Sequence, residues 1–104
     1  MKVQFNTDKN IEGHERLEKF FTSELEKDLA RFDDKVTRIE VHLGDENSDK
    51  GGVNDKRCVI EARPAKMHPI AVTANADSIE KAFFQALQKI KKSLNTTFDK
   101  LQVH

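Results

Sequence analysis

The stretch V-T-R-I-E-V-H-L, at Val36–Leu43, decides the fold because apolar and polar side chains alternate along it. Ile39, Val41 and Leu43 form the apolar series, and the residues between them are charged or polar. A period of two is typical of a strand with one side chain row on a core and the other in water. This stretch therefore predicts a sheet with one covered face and one open face.

Three other runs share this strand character, and they lie at Lys2–Asn6, Lys56–Arg63 and Ile70–Ala74. Pro69 precedes the last of them, a position at which a strand tolerates proline. The polar, glycine-rich segment Gly44–Asp55 has almost nothing to bury and predicts a long, mobile hairpin connection. In the third strand the predicted core-facing residues are Cys58, Ile60 and Ala62.

Two helices are predicted from apolar residues at three- and four-residue spacing. The first runs from roughly Glu12 to Arg31, and its stripe consists of Leu17, Phe20, Phe21, Leu25 and Leu29. The second begins at Asp77, which with Glu80 forms a variant of the capping box. Its stripe consists of Ile79, Phe83, Ala86, Leu87, Ile90, Leu94 and Leu101.

The resulting order β-α-β-β-β-α predicts an α+β fold, in which two helices pack on one face of a four-stranded sheet. The first two strands are joined across a helix and are expected to be parallel, whereas the hairpin-linked strands are expected to be antiparallel. No internal repeat or composition shift divides the chain, so we expect residues 1–104 to form a single domain.

Composition excludes several classes of protein. The 104 residues carry 18 basic and 18 acidic side chains, and a net charge of zero argues against a generic polyelectrolyte binder. No apolar run reaches the roughly 20 residues that a membrane span needs, so no membrane association is predicted. A single cysteine excludes an internal disulfide and suits a cytoplasmic location.

The sequence offers little for catalysis. The four histidines are not spaced as metal ligands, and Cys58 is expected to be a buried apolar side chain rather than a nucleophile. Glu40 and Glu61 share the open face, either as a carboxylate pair or, more ordinarily, as partners of nearby arginines. The possible arginine partners of these glutamates are Arg38, Arg57 and Arg63. We therefore predict no enzyme, no cofactor, no metal and no small-molecule substrate.

Charge is distributed unevenly along the chain. The region Asp8–Asp34 holds nine acids and five bases, whereas Lys81–Lys92 holds no acid at all. A cationic row faces away from the apolar stripe of the last helix. Such a row is suited to contact with phosphates, but it is also typical of the solvent-facing side of an amphipathic helix. Its members are Lys81, Gln85, Lys89 and Lys92. Phe84 and Phe98, beside the stripe, could stack on a base or a partner, or cover the junction between the helices.

Several strings in this order resemble the family of ribosome hibernation-promoting factors and ribosome-associated inhibitors, also described as sigma-54 modulation or ribosomal subunit interface proteins. The strings are V-Q-F-N at Val3–Asn6, V-T-R-I-E-V-H-L at Val36–Leu43, P-I-A-V-T at Pro69–Thr73, A-D-S-I-E-K-A at Ala76–Ala82 and K-I-K-K-S-L at Lys89–Leu94. The chain differs from the family pattern in its acidic first helix and in its long, acidic segment Gly44–Asp55.

The resemblance implies a fold similar to double-stranded-RNA-binding domains. It also implies binding to small-subunit rRNA, in the channel that holds mRNA and tRNA, so that translation is blocked sterically and no reaction is catalysed. Lys89 and Lys92 match basic positions of the family, and Lys91 lies between them. The full set of candidate rRNA-binding residues is Lys81, Lys89, Lys91 and Lys92 with Arg57 and Arg63.

An alternative hypothesis is a protein-interaction module of the same fold that has lost strong ribosome binding. Its contact surface would be the open face of the sheet, with Arg38, His42, Arg57, Val59 and Arg63. The sequence leaves the oligomeric state open.

Overall fold

The structure is a computed structural model, and it describes residues 1–8, 14–45 and 55–102. Four strands and two long helices follow the predicted order β-α-β-β-β-α. Their bounds are β1 Lys2–Thr7, α1 His14–Asp28, β2 Val36–Asp45, β3 Lys56–Pro64, β4 Ile70–Ala76 and α2 Ile79–Gln102. A short 3-10 helix at Ala30–Phe32 follows α1, so the first helix ends earlier than predicted.

The strands form one sheet in the order β1-β2-β3-β4, with β1 parallel to β2 and the other pairs antiparallel. Val41 lies at the centre, opposite Phe5 on one side and Ile60 on the other. Cys58, Ile60 and neighbouring apolar side chains of β2 and β3 are fully buried beneath the helices. The predicted α+β architecture, with both helices on one face, is therefore confirmed.

Aromatic stacking joins the two helices above the sheet. The Phe21 and Phe83 rings are stacked with their centroids 3.8 Å apart, and Phe32 stacks on Phe98 at 5.6 Å. Phe98 is thus buried between the end of α2 and the 3-10 helix, which agrees with a role at the junction between helices. Burying rings of this size contributes strongly to the free energy of folding.

Phe20 was predicted to lie in the apolar stripe of α1, and this prediction is wrong. Its side chain is 46% exposed, whereas the adjacent Phe21 is completely buried. Consecutive helical residues are separated by about 100° around the axis, so only one of the two rings can face the sheet. Phe20 instead lies outside the core, edge-on to Phe84 at a centroid distance of 6.0 Å.

The start of α2 also differs from the prediction. The Lys81 amide donates a hydrogen bond of 3.2 Å to Ser78 Oγ, so Ser78 is the N-terminal cap rather than Asp77. Asp77 lies one residue before the cap, and its carboxylate pairs with the Lys81 ammonium instead. Serine and aspartate are both good caps, and the sequence alone did not separate two adjacent ones.

The strands β2 and β3 extend beyond their predicted ends. Lys56 Nζ lies 3.1 Å from Asp45 Oδ2 and 3.2 Å from Asp55 Oδ1, which ties the two strand ends together. These hydrogen bonds raise the pKa of Lys56.

The mobile connection predicted over Gly44–Asp55 falls mainly on residues 46–54, which lie outside the described residues. The likeness to double-stranded-RNA-binding domains stays a prediction.

Candidate nucleic-acid interface

The outward face of α2 holds the lysines that the sequence singled out. The apolar stripe of the helix, from Ile79 to Phe98, is buried against the sheet and α1. The same helical period turns Lys81, Lys89 and Lys92 away from the core, and all three are exposed, whereas Lys91 lies at the flank of the stripe and is half-buried. These four residues are called the lysine row of α2.

Two of these lysines have local partners. The Lys81 ammonium lies 3.1 Å from Asp77 Oδ1, one helical turn away. Lys89 leans over the sheet edge and donates a hydrogen bond of 2.7 Å from Nζ to the carbonyl oxygen of Thr73 in β4. The charge of Lys81 is thus partly balanced by Asp77, whereas Lys89 bonds to a neutral carbonyl oxygen and so links α2 to the edge strand.

Lys91 and Lys92 have no acidic group within ion-pair distance among the described residues. Adjacent residues on a helix point about 100° apart, so the two ammonium groups serve neighbouring arcs of the surface. Flexible, unpaired ammonium groups are the side chains that replace counterions on nucleic-acid phosphates. These two residues therefore give the row its most available positive charge.

Arg57 and Arg63 lie elsewhere. They alternate with the buried Cys58, Ile60 and Ala62 along β3, which places them on the face of the sheet that the helices leave open. The six candidate rRNA-binding residues consequently do not form one surface. A strand period of two and a helix period of 3.6 each orient residues locally, but neither relates the two elements to each other.

Ion pairs organise the open face around Glu40, whose side chain is 13% exposed. Glu40 Oε2 lies 3.2 Å from Arg63 Nη2 and 3.5 Å from Arg38 Nε. Arg63 Nε also donates a 2.9 Å hydrogen bond to Glu61 Oε1, and Arg38 donates one to Gln4. Glu40 and Glu61 are directly opposite each other, so the shared Arg63 offsets a repulsion between like charges.

The open alternatives for Glu40 and Glu61 are thereby decided in favour of pairing with arginines, across strands between Glu40 and Arg63 and within β3 between Glu61 and Arg63. The sequence did not show that Glu40 is the common acceptor, because register between β2 and β3 sets that role. His42 joins the same network directly, with 3.9 Å between its Nε2 and Glu40 Oε1, and its Nδ1 lies 3.4 Å from Asn6 Nδ2.

Cys58 is completely buried beneath the helices. Burial raises the pKa of its thiol to about 12, because an apolar environment disfavours the charged thiolate. The expectation that Cys58 is a buried, apolar side chain is therefore confirmed. In the described ranges, no three potential ligand side chains are grouped as a metal would require, and no helix is long and apolar enough to span a bilayer.

Phe84 is the other exposed aromatic side chain of this region, at 37% exposure. Its ring meets Phe83, Phe20 and Phe21 edge-on, at centroid distances of 5.3 to 6.4 Å. These contacts place Phe84 on the outer rim of the junction between the helices, as one of the two sequence interpretations expected.

Residues 6–102 match the model of the family described as sigma 54 modulation protein / S30EA ribosomal protein. The chain belongs to this family, as the resemblance predicted. A search of curated proteins found no match.

Solved structures with the same fold include those of two other proteins. The N-terminal domain of Protein Y from Thermus thermophilus superposes with a TM-score of 0.73 at 13% identity, covering 93% of this chain and 99% of its own. A ribosomal subunit interface protein from Coxiella burnetii superposes with a TM-score of 0.67 at 17% identity, covering 95% of this chain and 99% of its own.

Proposed function

We propose that the protein binds rRNA of the small ribosomal subunit, in the channel that holds mRNA and tRNA, and blocks translation by occupying it. The observation that carries the proposal is the row of lysines on α2, in which Lys91 and Lys92 have no acidic partner among the described residues. The chain belongs to a family whose description names a ribosomal protein, and this supports the ribosome as the target. The same fold in a ribosomal subunit interface protein is consistent with it.

The mechanism would be electrostatic and steric. Lysines on one helix face replace cations on rRNA phosphates, and the release of those cations drives association. The domain then excludes other ligands by its volume, with no bond made or broken. Phosphate contacts position a protein but carry no sequence information, so specificity would come from the shape of the rRNA surface.

The geometry ranks the candidate residues. Lys91 and Lys92 are proposed as the main phosphate contacts, with Lys89 beside them at the sheet edge. Lys81 contributes less while it is paired with Asp77. Arg57 and Arg63 contribute only if rRNA also reaches the open face, where Arg63 would exchange its pairs with two glutamates for phosphates.

Cosedimentation with purified small subunits, titrated with salt, tests the proposal. We expect binding at low ionic strength that weakens steeply as salt rises, because counterion release makes affinity salt-dependent. Bound protein should also reduce the amount of tRNA and mRNA that the same subunits retain. Absence of binding at every salt concentration that keeps subunits intact would contradict the proposal, as would unchanged tRNA and mRNA occupancy.

The second candidate function is protein binding through the open face of the sheet. The observation that favours it is the Glu40 network, which fixes Arg38 and Arg63 in defined positions without covering them. Charge reversal separates the two functions. If Arg63→Glu abolishes recovery of a partner protein while Lys92→Glu has no effect on it, and the protein does not bind ribosomes, the second function replaces the first.

A further inference from the structure

The strand β1 forms an edge of the sheet. In the part of the chain that the structure describes, it pairs with β2 alone, in parallel register from Lys2 to Thr7. An edge strand presents backbone N–H and C=O groups to any extended chain that approaches it. The opposite edge differs, because Lys89 covers the Thr73 carbonyl of β4.

A groove of about 490 Å³ runs between β1 and α1. Its apolar floor consists of Val3 and Phe5, which pack against the core but are only partly buried. Half-exposed apolar side chains beside a strand edge are what side chains of an added strand would cover. The groove therefore combines backbone pairing groups with apolar surface.

The wall of this groove is acidic. Glu15, Glu18 and Glu26 line it against a single Lys19, and all four side chains are exposed or half-exposed. The eleven-residue interval from Glu15 to Glu26 extends about 16 Å along a helix, roughly the length of five residues in a strand. A negative wall of this length repels phosphates and attracts ammonium and guanidinium groups.

We propose that the groove between α1 and β1 binds a basic, extended segment of a partner protein. The segment adds to the edge of β1 through backbone hydrogen bonds, and every second side chain points into the groove. Among these groove-facing side chains, apolar ones cover Val3 and Phe5, and Lys or Arg side chains face the three glutamates of α1. This site goes beyond rRNA binding, because it uses residues remote from the lysine row of α2.

A labelled eight-residue peptide, Val-Thr-Lys-Thr-Val-Thr-Lys-Thr, tests the proposal by fluorescence anisotropy, because its Val and Lys residues share one face of a strand. We expect it to bind, whereas the same peptide with Glu in place of Lys should not. Neutralising the wall with Glu15→Gln, Glu18→Gln and Glu26→Gln should weaken binding about tenfold, since each exposed ion pair contributes modestly. Thermal unfolding followed by circular dichroism checks that the variant remains folded.

A matched control removes three acids near α2 instead, and its substitutions are Asp77→Asn, Glu80→Gln and Asp99→Asn. It changes net charge by the same amount and should retain peptide affinity. Equal losses in both triple variants would overturn the proposal, because they would indicate attraction by net charge alone.

The backbone and the ligand class are tested separately. The Val-Thr-Lys-Thr peptide N-methylated at alternate residues on one edge should lose binding, and equal affinity would overturn strand addition. Displacement of the peptide by oligouridine RNA would also overturn the proposal. Lys91→Glu with Lys92→Glu should leave peptide affinity unchanged, so failure of this site and failure of rRNA binding are distinguishable.

Discussion

The Asp77 carboxylate lies 3.1 Å from the Lys81 ammonium, one helical turn further along the chain. Both side chains are largely exposed, so water screens the pair and its contribution to stability is small. Its consequence for binding is larger, because Asp77 places a negative charge beside the first lysine of the α2 row.

Asp77→Asn is therefore expected to strengthen rRNA binding. Removing the carboxylate frees Lys81 for phosphate, and the gain should be about two- to fivefold in affinity for small subunits. Cosedimentation at fixed salt measures it. Glu26→Gln on α1 is the control, since it makes the same change in net charge away from the lysine row. Equal gains in the two variants would show that only net charge matters.

Lys89→Met is expected to lower the free energy of unfolding by about 0.5–1 kcal/mol, because it removes the hydrogen bond to the Thr73 carbonyl. Urea denaturation measures this loss. Lys92→Met, which has no such partner, is the matched control and should change stability by less than about 0.5 kcal/mol. Equal effects of the two substitutions would mean that the Lys89 contact does not stabilise the protein.

The adjacent residues Phe20 and Phe21 should respond very differently to truncation. Phe21→Ala removes a fully buried ring that stacks on Phe83, and such changes cost about 3–5 kcal/mol. Phe20→Ala should cost roughly 1 kcal/mol, since nearly half of that side chain is exposed. Urea denaturation compares them, and the pair Phe21→Leu and Phe20→Leu preserves the comparison if Phe21→Ala fails to fold. Similar losses at the two positions would contradict the packing described for α1.

The Cys58 thiol should not react with iodoacetamide at pH 8 in the native protein, and it should react readily in guanidinium chloride. The pKa of about 12 in the folded state exceeds the ordinary 9.0 of the unfolded chain. Stabilisation by the neutral thiol is therefore complete below pH 9 and is lost as pH rises toward 12. Between pH 8 and 10.5, the free energy of unfolding should therefore fall more for the unsubstituted protein than for the Cys58→Ala variant. Rapid native alkylation would contradict the buried environment.

Most of the fold followed from periodicity. Alternation at Val36–Leu43 and the stripe around Phe83 assigned strand and helix correctly, because burial of one face is a local, repeating requirement. Errors arose where two neighbouring residues were chemically equivalent. Phe20 and Phe21 both suit a core, and Asp77 and Ser78 both suit a helix cap, so packing made the choice.

The candidate site was predictable only in part. Lysines opposite an apolar stripe must face outward, which the sequence showed for Lys92 and its neighbours. The ion pairs of Arg63 depend on register between β2 and β3, and the acidic groove depends on how α1 lies over β1. Such relations between elements separated in sequence are set by tertiary packing, and no local pattern encodes them.

The central claim, that the lysine row of α2 binds rRNA, is tested most directly by the double substitution Lys91→Glu and Lys92→Glu. Affinity for purified small subunits is measured against salt, with Lys27→Glu on α1 as a control for the reversal of a lysine charge. We expect the double variant to lose most of its affinity and about two units of the slope of log affinity against log salt, one for each phosphate contact. The control should retain both. Unchanged affinity and slope in a folded double variant would contradict the claim.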